Sequence, residues 1–237
     1  MSFLGKKYSS MEIYGENKNR VAGRAQQVDP QLLDKQYLYI TVKRIFDCLT
    51  SVSALVLLLP LFLVLAILIK LDDPKGTVFF SQIRIGKRGT AFRMYKFRSM
   101  CVDAESKLDK LAERNEIDGA MFKIKEDPRI TRIGRFIRRT SLDELPQLYN
   151  VLRGEMSLVG PRPCLPQEYA TYTDYDKQRV AVIPGCTGLW QVSGRNGLSF
   201  DQMVDLDCQY INHRSVLNDI VILFKTFRVF IIPNQAY

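Results

Sequence analysis

The 21 residues LTSVSALVLLLPLFLVLAILI, Leu49 to Ile69, carry no charge and are long enough to cross a hydrocarbon core of about 30 Å as one helix. In their middle stands Pro60, which supplies no N–H and presses on the carbonyl of Val56. A helix should kink or break there, and lipid offers no replacement donor. The flanks add a second constraint. Lys43 and Arg44 precede the run, and Lys70, Lys75, Arg84, Lys87 and Arg88 follow it, so both ends belong on the cytoplasmic face. A straight span puts one basic flank outside. A helix that breaks near Leu59 and Pro60 and returns to the same face satisfies both. We therefore expect a re-entrant membrane hairpin over residues 37–72, with a proline-kinked single-pass helix as the alternative these residues leave open. The run does not start at the N-terminus and has no small-residue cleavage site, so it does not read as a removed signal peptide.

Around this segment the chain divides into three. Residues 1–36 are polar and lack sustained periodicity, which reads as a mobile or loosely docked arm. Residues 73–237 read as one cytosolic or interfacial domain. The 237 residues hold 34 Lys and Arg against 25 Asp and Glu, a net charge of +9. That excess predicts an anionic partner: nucleic acid, a phosphorylated small molecule or the inner face of a membrane. Cysteines 48, 101, 164, 186 and 208 are odd in number and fall outside CxxC spacing. Neither a disulfide framework nor a zinc site is indicated, and a reducing compartment fits. His213, the lone histidine, has no ligand cluster and is given no role.

Downstream, TVFFSQIRIGKRGTAFRMYKFRSM, Thr77 to Met100, holds two β-prone runs around Gly86-Lys87-Arg88-Gly89, a hairpin turn. In an extended second run Lys96 and Arg98 share a face, which suits phosphate or a solvated strand edge. Residues 101–116 read as a helix with Ala104, Leu108 and Leu111 on one side. In DPRITRIGRFIRRTSLDELPQLYNVLRG, Asp127 to Gly154, arginines 129, 132, 135 and 138 recur every third residue among Ile130, Ile133, Phe136 and Ile137. Such a helix separates a cationic stripe from an apolar one and either lies on anionic lipid or packs on its own domain. The next helix carries Leu145, Leu148 and Leu152 and stops at Gly154. Ser141 and Glu144 match a capping box, whereas a start at Asp143 keeps Pro146 in the first turn. Asp143 sits at a positive helix end either way. The adjacent Asp143 and Glu144 then admit two readings: a cap with a dipole-favoured neighbour, or a carboxylate that attacks phosphorus beside a divalent metal.

Two further stretches bear on that choice. In SLVGPRPCLP, Pro161 and Pro163 restrain the backbone around Arg162, which lowers the entropy cost of aiming its guanidinium at phosphate. In PGCTGLWQVSGRNGLSF, four glycines surround Gln191, Arg195 and Asn196, a loop whose backbone can approach a ligand closely. The ordered series KRIFD, an apolar run broken at Pro60, YKFRSM, DPRITRIGRFIRRTSLDELPQL, SLVGPRP and PGCTGLWQVSGRN closely resembles the bacterial sugar transferase family of monotopic phosphoglycosyl transferases, from about Lys43 to Phe230.

The resemblance implies a bacterial inner-membrane enzyme, its catalytic domain on the cytoplasmic face. It moves a sugar 1-phosphate from a UDP-sugar to polyprenyl (undecaprenyl) phosphate and releases UMP, opening exopolysaccharide, capsule or glycoconjugate assembly. In the family an Asp-Glu dyad and magnesium do the chemistry. The matching residues are Asp143, the implied nucleophile of a covalent aspartyl-phosphosugar intermediate, and Glu144, with Mg2+ held by both. Lys96, Arg138, Arg139, Arg162, Gln191, Arg195 and Asn196 are the candidates for binding phosphate and nucleotide, with the choice between Arg138 and Arg139 open. An anionic bilayer and later glycosyltransferases of the pathway are expected partners, and nucleic acid is not. The family's helix break is often Ser-Pro, where this chain has Leu59-Pro60. The fold expected is α+β and mostly helical, with a re-entrant helix hairpin, a small β-hairpin and interfacial amphipathic helices, among them SVLNDIVILFKTFRVFII near the C-terminus. Larger relatives carry membrane helices ahead of this unit, so the chain resembles the minimal catalytic form. A membrane-tethered nucleic-acid binder or a non-enzymatic membrane adaptor would use the same charge, but the sequence shows no nucleic-acid module, and an adaptor leaves the Asp-Glu, Pro-Arg-Pro and Gly-Arg-Asn clusters without a joint purpose.

Overall fold

The apolar run forms two helices, α1 (Tyr37–Leu57) and α2 (Leu59–Asp72), bent by 60° at Leu58. In this computed structural model residues 27–29, 31, 33, 35–104, 106, 127–194 and 197–231 are described. Pro60 lies in the first turn of α2, where its missing N–H costs no intrahelical bond. The break therefore falls one residue ahead of the expected Leu59-Pro60 pair, with Leu58 as the joint. Leu58 N–H still bonds the Ala54 carbonyl and Phe62 N–H the Leu58 carbonyl, both at 2.9 Å, so the joint leaves these groups satisfied without the hydroxyl of a Ser-Pro break. Among the described residues no single helix is long and apolar enough to cross a membrane; the bent pair together reaches that length and apolar composition.

One body holds both ends of that pair. On α1, buried Asp47 accepts from Ser157 Oγ at 2.7 Å and from Leu158 N–H at 3.2 Å. Lys43 pairs with Asp219 at 2.7 Å, and Arg44 donates to the carbonyls of Val151 and Leu152. On α2, Leu65 and Ile69 are buried with Phe97 and Ile137, and Asp72 accepts from Ile133 N–H at 2.9 Å. Between these anchors Val52, Val56, Leu57, Leu59, Leu63 and Val64 are exposed, an apolar surface at the bend that calls for a covering.

The body begins with the expected hairpin. β1 (Phe79–Ile85) and β2 (Ala91–Phe97) pair antiparallel, Phe79 opposite Phe97 and Ile85 opposite Ala91. The turn is closed by Arg88 and Gly89, both with positive φ. Because β2 stops at Phe97, Arg98 turns to Thr77, donating to its carbonyl at 2.8 Å and its Oγ1 at 2.7 Å, and the expected joint cationic face with Lys96 does not form.

α3 (Arg132–Arg139) starts at Thr131, whose Oγ1 accepts from Gly134 N–H. The arginine stripe splits at this cap. Arg129 lies before the helix, bound to Asp127, while Arg132, Arg135 and Arg139 are exposed and Arg138 is half-buried. Ile133 and Ile137 dock the helix on α2 and Phe97, so it packs on its own domain, and Phe136 points away, 53% exposed.

α4 (Gln147–Arg153), β3 (Ser157–Val159), α5 (Pro166–Thr171), β4 (Gly185–Thr187), α6 (Leu189–Ser193), α7 (Phe200–His213) and α8 (Val216–Ile231) complete the order. β3 and β4 pair in parallel, Ser157 opposite Gly185 and Val159 opposite Thr187. The main core joins Val151, Met156, Val159, Leu189, Val204, Cys208 and Ile222. α8 buries Ile222 in the main core and exposes Leu217, Phe224 and Phe227. Arg179 binds Asp207 of α7 inside the fold. The described end of the N-terminal arm is docked: Val28 is buried, its N–H on Gln178 Oε1 at 2.6 Å, and Arg214 holds Gln36 and the Leu33 carbonyl. The rest of the expected arm, the greater part of the expected 101–116 helix, Arg195 and Asn196 lie outside the described residues.

Candidate active site

The dyad stands on a segment that neither expected helix start anticipated. After α3, Ser141 adopts φ 54° and ψ 19°, a left-handed conformation uncommon for a residue with a side chain. Leu142–Glu144 then form a single 3₁₀ turn, and α4 begins only at Gln147, with Pro146 at its cap. Ser141 makes no side-chain cap, so the S-x-x-E capping box is absent. Glu144 turns instead to Lys96, Oε1 to Nζ at 2.7 Å. Asp143 and Glu144 thus belong to a separate turn between two helices. Strain of this kind next to a buried carboxylate is where function is commonly found.

Asp143 is 8% exposed. Burial is the main cause that pushes its carboxyl up to about 6; Lys96 pulls it down, Glu144 pushes it up and Arg138 pulls it down. For Glu144 burial also works upward, but the charges of Lys96 and Arg162 outweigh it and hold this carboxyl below its ordinary value. The two neighbours are driven apart, one toward a sharable proton and the other firmly ionised.

A narrow cleft, open to solvent, adjoins the dyad. Lys96, Glu144, Gln147, Arg162 and Gln191 line it, with Arg84, Pro163 and Cys186. One wall joins the two loops singled out in the sequence. The Pro-Arg-Pro segment follows β3 and the glycine-rich segment runs through β4, so the parallel pair brings them together. Gly160 N–H bonds the Thr187 carbonyl at 2.8 Å and Gly185 N–H the Pro161 carbonyl at 2.9 Å. A Cβ on Gly160 would sit 2.7 Å from the Ile183 carbonyl oxygen, so the close approach of the backbones requires glycine.

Of the sequence candidates, Lys96, Glu144, Arg162 and Gln191 meet at the cleft, with Asp143 buried beside Glu144. Arg138 is half-buried and its charge reaches Asp143, whereas Arg139 is exposed, which separates the adjacent pair by the way α3 docks. Leu59 and Pro60 stand at the bend, on the far element. Arg84, Gln147 and Cys186 were missed. Gln82 and Arg84 alternate on β1, a signal for a shared face, but Arg84 counted only as flanking charge.

Among the described residues no cluster of three or more His, Cys, Asp or Glu is placed to hold a metal. Two adjacent carboxylates nonetheless fit magnesium, which binds through one or two such groups and fills its shell with water and substrate phosphate oxygens.

Carboxylates set among ammonium and guanidinium groups are an arrangement suited to binding phosphate. The chain belongs to the bacterial sugar transferase family, whose model matches residues 38–233. It is 47% identical over 202 residues to a galactosyl transferase, CpsE, of Streptococcus agalactiae serotype III, covering 85% of this chain and 44% of that protein. It is 44% identical over 200 residues to the undecaprenyl-phosphate galactose phosphotransferase of Salmonella typhimurium, covering 83% and 42%. It is 42% identical over 199 residues to the exopolysaccharide production protein ExoY of Rhizobium meliloti, covering 82% and 88%. The chain thus spans less than half the length of the first two relatives and most of the third.

Proposed function

We propose that the chain transfers a sugar 1-phosphate from a UDP-sugar to polyprenyl phosphate, releases UMP and opens polysaccharide assembly. The observation that carries this is the buried Asp143 next to Glu144, which is ion-paired to Lys96 and lines a cleft that also presents Arg162 and Gln191. The chain's similarity to the undecaprenyl-phosphate galactose phosphotransferase of Salmonella typhimurium supports the same chemistry. An Asp143 carboxylate oxygen attacks the phosphorus bound to the sugar, and the P–O bond to UMP breaks. A polyprenyl phosphate oxygen then attacks that phosphorus, the aspartyl P–O bond breaks, and the carboxylate is restored. Asp143 and Glu144 would hold magnesium, which supplies positive charge to the diphosphate oxygens when bound. Lys96 keeps Glu144 ionised, while Arg138 and Arg162 balance phosphate charge.

The proposal extends to topology. Residues 37–72 enter the cytoplasmic leaflet of the inner membrane and return, because both ends dock on one body while apolar residues are exposed along both helices, those around the bend among them. Residues 73–237 form the catalytic domain on the cytoplasmic side, with α8 at the interface. The lipid acceptor and the soluble donor then meet at one boundary, within reach of later glycosyltransferases. Intact-protein mass after mixing detergent-purified chain with magnesium and a panel of UDP-sugars, without acceptor, tests the route. A sugar-phosphate adduct that needs Asp143 supports it. Release of UMP only on adding acceptor, with no adduct from any donor, overturns the covalent step. No release with a folded sample overturns the function.

A further inference from the structure

Three arginines of the described fold are buried: Arg84, Arg129 and Arg179. Two of them have a carboxylate. Arg129 is clasped by Asp127 at 2.6 Å, and Arg179 by Asp207 at 2.7 Å through both Nε and Nη2. Arg84, at 8% exposure, has none within 4.0 Å among the described residues. Its Nη1 donates to the Pro163 carbonyl at 3.2 Å and its Nη2 to Gln82 Oε1 at 2.9 Å, both neutral acceptors. Its Nε is buried without a hydrogen-bond partner. Burial, then repulsion by Arg162, pulls this guanidinium down to about 10, while Glu168 and Glu144 act on it only by charge at longer range.

A guanidinium taken from water needs an anion, and a buried N–H needs an acceptor. Arg84 lines the cleft, so its missing partner can arrive from there. Arg162 enters the same cleft from a proline-restrained loop, and two guanidiniums that repel each other become a matched pair around a dianion.

We propose that Arg84, together with Arg162, binds the phosphate of the departing nucleoside monophosphate, the phosphate that Asp143 does not attack. This rests on the function proposed above. Lys96 and Arg138 are the cations that act on the nucleophile Asp143, hence on the attacked phosphorus, whereas Arg84 and Arg162 act on Glu144 and stand with Pro163 in the wall of the cleft that Lys96 also lines. The leaving phosphate gains charge as its P–O bond breaks, so a fixed, dry cation stabilises the transition state more than the bound donor.

The test uses the full chain in detergent micelles with magnesium, comparing wild type, Arg84→Gln and Arg84→Lys by titration calorimetry with UMP, uridine and polyprenyl phosphate, and by UMP release from the donor that wild type accepts. For Arg84→Gln we expect UMP to bind at least tenfold more weakly, uridine unchanged, kcat/KM down by a similar factor, and a ligand-free Tm no lower than wild type. Arg84→Lys, which keeps the charge and loses the fork, should recover part of the loss, and it carries the test if the glutamine variant does not fold. Equal loss of UMP and uridine, or a lower ligand-free Tm, would make Arg84 structural and overturn the assignment. Weakened binding of polyprenyl phosphate alone would place the residue on the acceptor and also overturn it. UMP binding and turnover unchanged in both variants remove Arg84 while leaving the transferase reading intact. Wild type that neither binds UMP nor releases it from any UDP-sugar removes both.

Discussion

Asp143→Asn should make the ligand-free protein more stable at neutral pH while abolishing the adduct. Its carboxyl rises from 3.8 to about 6 on folding, chiefly through burial. A folded value above the unfolded one means the folded state holds the proton more tightly. Stability is therefore given up as pH climbs from about 4 to about 6, and the full penalty persists above that range. Roughly two units at 1.36 kcal/mol each is about 3 kcal/mol at pH 7.5. Asparagine is close in shape to the protonated acid and carries no charge to desolvate, so it escapes that cost. For a chain of this size the gain corresponds to a rise in Tm of about 6–12 °C. The assay is thermal unfolding followed by tryptophan fluorescence in detergent with EDTA and no donor, at pH 7.5 and pH 4. The variant's advantage should be present at the first and nearly gone at the second. A variant less stable than wild type at pH 7.5, or an advantage equal at both, would refute the burial argument for Asp143.

The same carboxyl must be ionised to attack, so kcat/KM should fall on the acid side of the pH–rate profile. Lys96→Met removes a charge that holds Asp143 down, so it should move this limb upward as well as lowering the rate; a pH–rate profile for each protein reads both. Arg179→Met should cost about 3–5 kcal/mol by leaving Asp207 buried and unpaired, seen as a large fall in Tm. Pro60→Ala lets the backbone hydrogen bonding of α1 run on into α2, so the bend should open. Membrane-impermeant labelling of single cysteines placed at Tyr37 and Asp73, in a chain otherwise free of cysteine, should find both on one side in the parent and on opposite sides in the variant. Unchanged labelling would show that tertiary docking, and not proline, sets the bend.

Features carried by local chemistry were legible in the sequence. Proline in an apolar run, basic residues on both flanks and a Gly-Lys-Arg-Gly turn foretold the broken helix and the hairpin, because each acts within a few residues. The Asp143-Glu144 dyad stood out by adjacency. Its backbone did not: Ser141 turns left-handed between α3 and the 3₁₀ turn, and Glu144 pairs with Lys96, 48 residues away, in place of the local capping box. Inward-facing Arg138 follows from Ile133 and Ile137 seating on α2, a tertiary event. The union of the Pro-Arg-Pro and glycine-rich loops depends on two three-residue strands, too short to leave a pattern. Arg84 was hidden because a buried cation without a carboxylate is a property of packing, and on the chain it is one basic residue among many.

The double anchoring of α1 and α2 also bears on which membranes the protein can use. A spanning helix must tilt, kink or deform its surroundings when its apolar length and the bilayer thickness differ. Here depth is fixed from one side, by Asp47 on Ser157 and by Leu65 and Ile69 against Phe97. On the proposed topology the bend touches only the leaflet it enters, so the catalytic cleft rides at a constant height above that leaflet, whatever the thickness of the other.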